Sequence, residues 1–155
     1  GNLNKNRKKQ YSLLVITRTK FSRFKKLAKQ YGFKQNIKFI EVEHDQIFSY
    51  IAKCKCGLVF LDPGVSRLAQ FPTKVGEFLS QSLPICTNKN LPEISNLLKE
   101  FNAGKVINNY FSEQSFNDLA DLINENKSFS RNAFKLWESK LKLDIALENY
   151  QKIYK

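Results

Sequence analysis

Residues 71–87 read FPTKVGEFLSQSLPICT. Pro72 suits the first turn of a helix, where the backbone N–H it lacks would have had no intrahelical partner. The helix should run to about Gln81, and Leu83–Thr87 (LPICT) then reads as a strand. A helix that feeds directly into a short apolar strand is the repeating half of an α/β fold, and the same alternation continues in both directions.

Upstream, Tyr11–Thr17 (YSLLVIT) is a compact apolar run that reads as a strand buried on both faces. Phe21, Phe24, Leu27 and Tyr31 recur at helical spacing with Lys and Arg between them, which predicts an amphipathic helix ending near Gly32. Ile37–Val42 is a second strand. Asp45 is placed to cap a helix over Gln46–Lys53, with Ile47, Tyr50 and Ile51 on its apolar face. Gly57–Leu61 is a third strand, closed by the turn Asp62-Pro63-Gly64. Downstream come a helix over Pro92–Phe101, a strand over Ala103–Ile107, and a helix over Ser112–Asn124 with a Ser112 cap and Leu119, Leu122 and Ile123 inward. Ser128–Lys155 reads as helix with one break and a buried stripe of Phe134, Trp137, Leu141, Ile145 and Tyr150.

The expected fold class is therefore α/β: one Rossmann-like parallel sheet of about five or six strands, helices on both faces, and a helical C-terminus. Residues 1–10 form a basic leader or linker and 11–155 the domain. Parallel sheets of this kind take ligands at the carboxyl ends of their strands. Here that rim is made of loops 17–20, 41–45, 62–73 and 88–92.

Charge is distributed unevenly. The 155 residues carry a net charge of +12. Residues 1–38 hold nine Lys, three Arg and no acidic residue, whereas 39–155 are balanced at fourteen of each sign. A basic stripe of this kind serves nucleic acid, anionic lipid or a phosphorylated small molecule. No apolar run approaches the roughly 18 residues needed to span a bilayer. Three Cys (Cys54, Cys56, Cys86) cannot build a disulfide framework, and Cys54-x-Cys56 without two further ligands is a poor zinc site. The single His, His44, is read as a capping or surface residue, and no metal site is expected.

The chemistry-bearing pattern lies in the opening stretch. First-turn N–H groups at Thr73 and Lys74 are unsatisfied within the helix, and the helix dipole favours an anion there. Lys74 adds a mobile positive charge. Glu77 follows Thr73 by four residues and shares its face. A carboxylate beside a phosphate site is useful when the ligand also presents a vicinal diol, whose two hydroxyls can donate to its two oxygens. Phosphate plus ribose describes a nucleotide. An ordinary amphipathic helix with a Lys74–Glu77 surface pair would show the same residues.

Pro72, Lys74, Glu77, Phe78, Leu79 and Leu83-Pro84 resemble the P-x-K-x-x-E-[YF]-[LM]-(x)3-LP signature of the carboxyl-terminal, nucleotide-sugar-binding domain of GT-B glycosyltransferases, the family-4-like branch (glycosyl transferases group 1) being the most similar. Asn36–Leu61 is similar to that domain's strand, turn, helix and next strand. Leu91-Pro92-Glu93-Ile94 and Gly104-Lys105-Val106 fall at two further family landmarks. The likeness covers roughly residues 11–153. It implies a donor-binding domain that acts on a nucleotide-diphosphate-sugar (UDP or GDP), moving the sugar to a glycan, cell-envelope polysaccharide or lipid-linked acceptor without a metal or other cofactor. Glu77 would bind the donor ribose, and Thr73, Lys74 and Arg18 the diphosphate. Ser66, Arg67 and Glu93 would lie by the sugar, with the Asn88–Asn90 loop closing the pocket. Glu41, Val42 and Glu43 would border the base. No catalytic base is assigned. The implied location is cytoplasmic or peripheral to the inner face of the membrane.

Three departures from the family pattern matter. Many relatives carry a second Glu eight residues before the ribose Glu, where this chain has Ala69; retention or inversion therefore stays open. The diphosphate-gripping Arg and Lys of the family usually precede the strand equivalent to Tyr11–Thr17, and the Gly-rich turn after it is here Thr17-Arg18-Thr19. The amino-terminal acceptor domain has no counterpart, so these residues alone are expected to be inactive in transfer. Two other functions fit less well: a sugar-nucleotide epimerase of the same fold, and a non-enzymatic module for RNA or DNA. Against the latter, Phe21, Phe24 and Tyr31 fall on the apolar face of their helix and not on a stacking surface. An anionic membrane surface is a further partner that the basic helix would suit.

Overall fold

The computed structural model describes residues 11–30, 36–62, 64, 70–108 and 112–153. They divide into two compact units, 1–49 and 50–155.

In the first unit, β1 (Leu13–Ile16) and β2 (Ile37–Ile40) pair in parallel, with Leu13 opposite Ile37 and Ile16 opposite Ile40. Helix α1 (Phe21–Gln30) connects them and lies on β2, with the Phe21 and Phe24 rings 5.8 and 6.3 Å from that of Phe39. All four residues of β1 are only half-buried. The expectation of a strand buried on both faces is thus corrected. A two-stranded ladder with one covering helix does not enclose both faces of an apolar strand. The helix terminus expected at Gly32 lies outside the described residues. Asp45 does not cap a helix: it sits inside a 3-10 turn, His44–Gln46, that leads into α2 (Ile47–Ile51).

The second unit is a three-stranded parallel ladder in the order β3 (Gly57–Val59), β4 (Ile85–Asn88), β5 (Gly104–Ile107). Helix α3 (Thr73–Ser80) returns the chain from β3 to β4, and α4 (Pro92–Phe101) from β4 to β5. Five strands are therefore described, arranged as ladders of two and three and not as one sheet. β4 is central and buried at all four positions. Its alternation divides the core. Ile85 joins Val59, Val75, Leu79, Ile94 and Leu98 on one face, while Cys86 joins Ile107, Leu122 and Phe129 on the other. At Gly104 a Cβ would strike the backbone carbonyl oxygen of Ile85, so the close approach of β5 to β4 requires glycine there.

The C-terminal helices follow as α5 (Glu113–Asn124), α6 (Asn126–Leu136), a π-helical turn (Trp137–Leu141) and α7 (Leu143–Ile153). Ser112 caps α5 as expected, its hydroxyl accepting the Ser115 N–H at 3.2 Å. The expected stripe on the last helices holds in part: Trp137 and Leu141 pack half-buried against the core and Ile145 is half-buried. Phe129, Ala133 and Leu136 are buried, whereas Phe134 is 38% and Tyr150 62% exposed. The small Ala133 faces inward where α6 packs on α3 and α4. The break falls at Lys142, which is extended. Among the described residues no helix is long and apolar enough to cross a membrane.

Candidate functional site

The chain leaves β3 at its carboxyl end and enters α3, so by connectivity the start of α3 lies at the carboxyl-end rim of the three-stranded ladder. Pro72 stands just before the helix in an extended conformation (φ −62°, ψ 128°) and not inside its first turn. No side chain caps α3. The Pro72 carbonyl accepts from the Val75 N–H at 2.9 Å. The N–H groups of Thr73 and Lys74 have no acceptor within the helix.

Helical spacing sorts the side chains. Val75 and Leu79 are 1% and 0% exposed and form part of the core. Thr73 and Glu77, at 100° per residue, fall on the opposite side. Thr73 and Lys74 are exposed and Glu77 is half-buried. The two ion pairs among the described residues are Arg18–Glu43 and Lys142–Asp144, so Lys74 and Glu77 do not pair with one another. Nor does the Glu77 carboxylate accept a hydrogen bond from any described residue; only its backbone carbonyl is engaged, by the Ser80 hydroxyl at 2.8 Å. A half-buried carboxylate with no ion-pair partner among the described residues can accept from a ligand.

The loop after β4 is anchored to the protein. Asn88 and Asn90 each donate a side-chain N–H to the Leu61 carbonyl, at 2.6 and 2.7 Å. The Thr87 hydroxyl donates to the Val59 carbonyl at 2.7 Å. These bonds fix the chain as it leaves β3, upstream of α3. Residue type alone could not assign them, because two Asn at a strand end suit a turn, a ligand or a neighbouring backbone equally. Glu93 is exposed in the first turn of α4, where the helix dipole favours its charge, and Pro92 takes the first helical position. Ser66 and Arg67, like Ala69, lie outside the described residues.

Arg18 and Glu41, Val42 and Glu43 belong to the first unit. Arg18 donates to the Glu43 carboxylate at 3.0 Å, linking the loops that follow β1 and β2. The two side chains are 68% and 79% exposed, so the pair contributes at most about 1 kcal/mol and leaves Arg18 available to a stronger anion. Glu41 is exposed and Val42 half-buried.

The thiols behave as buried groups. Burial, followed by the influence of Cys54, pushes Cys56 up to about 12. Burial, then Cys56 and Asp118, does the same for Cys86, also to about 12. Burial raises Cys54 as well. None is poised as a thiolate at neutral pH. Among the described residues no three His, Cys, Asp or Glu side chains gather as a metal site.

A solved structure shares this fold. The structure of WaaG, a glycosyltransferase involved in lipopolysaccharide biosynthesis, matches with a TM-score of 0.64 and 22% identity, over 84% of this chain and 34% of WaaG. Spinosyn forosaminyltransferase SpnP matches more loosely, with a TM-score of 0.47 and 14% identity over 95% of this chain and 44% of SpnP. The chain thus spans about a third of the length of WaaG. No protein-family model matches the sequence, and no curated protein matches it.

Proposed function

We propose that this chain is the donor-binding domain of a GT-B glycosyltransferase, holding a nucleotide-diphosphate-sugar while the sugar passes to a glycan or a lipid-linked acceptor. The observation that carries the reading is the first turn of α3. Two free amides and Lys74 stand at its start, and one turn on is a half-buried carboxylate, Glu77, with no described partner. The fold shared with WaaG supports the class of enzyme.

In this reading Glu77 accepts from the ribose hydroxyls, and Thr73, Lys74 and the helix N-terminus hold the diphosphate. Ser66, Arg67 and Glu93 are assigned to the sugar end. During transfer the bond between the sugar's anomeric carbon and the diphosphate oxygen breaks, and an acceptor hydroxyl forms the new bond and loses its proton. Negative charge grows on the departing diphosphate. Pre-oriented N–H dipoles and a fixed ammonium stabilise that charge without reorganising as it develops. No metal is required for this role. The acceptor is held by a part of the enzyme outside these residues, so the 155 residues alone bind donor without transferring it.

A thermal-shift panel of UDP-, GDP-, ADP- and CMP-sugars identifies the nucleotide, and titration calorimetry then tests the residues. Glu77→Ala should weaken nucleotide binding about 10- to 100-fold, the loss expected for one or two hydrogen bonds to a charged group. The fold should be unaffected, since the side chain is off the core. Lys74→Ala should weaken the nucleoside diphosphate more than the nucleoside. An unchanged affinity in Glu77→Ala removes this carboxylate from the site, and with it the reading.

A further inference from the structure

We propose that the lysine-bearing side of α1 is an attachment surface for an anionic lipid bilayer. The inference concerns the first unit and does not depend on the donor site.

Three observations carry it. The first 38 residues hold twelve basic and no acidic side chains. Within them α1 is seated by one side only: the Phe21 and Phe24 rings lie against Phe39, and Ala28 is 8% exposed. The flank beyond Phe21 presents Lys25, Lys26 and Lys29, all exposed, the Lys25 Nζ lying 5.9 Å from the Phe21 ring centroid, with exposed Lys20 just before the helix. None of these four has a carboxylate partner among the described residues.

The combination selects the occupant. A diffuse anionic surface is matched by lysine point charges on flexible stems, which can extend to headgroups. Single-stranded nucleic acid is bound through exposed aromatic faces, and the rings of α1 are packed on Phe39. Sequence-specific phosphate recognition favours the bidentate geometry of arginine over lysine. Each lysine near an anionic membrane strengthens adsorption about fivefold, so three act together by on the order of 100-fold.

The test is co-sedimentation of the purified chain with phosphatidylglycerol–phosphatidylcholine vesicles and with pure phosphatidylcholine vesicles. Binding is expected to the first only, and to fall as salt rises. The variant K25A/K26A/K29A should lose on the order of 100-fold in partition, with its circular dichroism and melting temperature retained because the three side chains face solvent. K25R/K26R/K29R should retain binding, which separates charge from any effect of substitution on the helix. Equal binding to both vesicle types overturns the proposal without reference to a variant. So does undiminished binding by the triple-alanine chain, which would assign the adsorption to other basic residues. Displacement of the vesicles by poly(U), with RNA affinity lost in the same variant, would make the surface a nucleic-acid site instead.

Discussion

β1 and β4 have the same length and lie in parallel ladders, yet their burial runs opposite to their composition. β1 is Leu-Leu-Val-Ile and is half-buried at each position. β4 is Ile-Cys-Thr-Asn and is buried at each position. The more polar strand is the deeper one. β4 has a neighbour on either side and core clusters on both faces. Among the described residues β1 has one strand neighbour, and helix α1 packs on that ladder through Phe39. Burial is thus set by how many elements surround a strand, and hydrophobicity only makes it affordable. Charge follows the same division. Residues 1–49 carry twelve basic and three acidic side chains, a net +9, which leaves +3 for residues 50–155.

The contrast has measurable consequences. The largest should be in the core. Leu79→Ala, at a position with 0% exposure, is expected to cost about 3 kcal/mol. Leu14→Ala in half-buried β1 should cost about 1 kcal/mol, since less area leaves water there on folding. Urea denaturation followed by tryptophan fluorescence and circular dichroism measures both. Similar losses would erase the difference between the two units.

The next effect is in the thiols. Cys56 and Cys86 stay protonated in the folded chain up to about 12, against an ordinary value of 9.0. The unfolded chain therefore ionises first. Their contribution to stability is complete below pH 9 and declines as the pH rises from there towards about 12. Stability measured between pH 8 and roughly pH 10.5 should fall, and Cys56→Ser/Cys86→Ala should flatten that fall. Alkylation at neutral pH should reach Cys54 before the other two.

The smallest effect should be at Gly76 in α3. A Cβ there meets nothing within 4 Å. Gly76→Ala should stabilise the second unit by about 0.5–1 kcal/mol, the difference in helix propensity between the two residues. A loss of stability, read as a lower urea midpoint, would mean that this face of α3 is tighter than the structure shows.

The parts of the fold legible in the sequence are those with local causes. Pro92 at a helix start and Asn102 in the left-handed conformation after its end bound α4 at the residues expected, Pro92–Phe101. The Ser112 cap was equally plain. Where neighbours decide, expectation and structure part. Phe134 was expected inward as part of a periodic stripe, yet it is 38% exposed and Ala133 is buried, where α6 packs on α3 and α4. Asp45 had the chemistry of a cap but stands one residue before the position preceding α2, within the 3-10 segment. At the candidate site the helix of Thr73, Lys74 and Glu77 was legible from spacing. The anchoring of Leu61 by Asn88 and Asn90 was not, since those partners are 27 and 29 residues apart.

What the chain determined unaided was the alternation of strand and helix, the concentration of positive charge in its first 38 residues, and the grouping of an amide pair, a lysine and a carboxylate on one helical turn. These follow from periodicity and capping, which act over a few residues. Tertiary structure alone decided which strands are deep, which face of α6 is inward, and that Glu77 is not neutralised by Lys74. Those outcomes depend on which surfaces meet, and burial and pairing energies exist only once distant segments have come into contact.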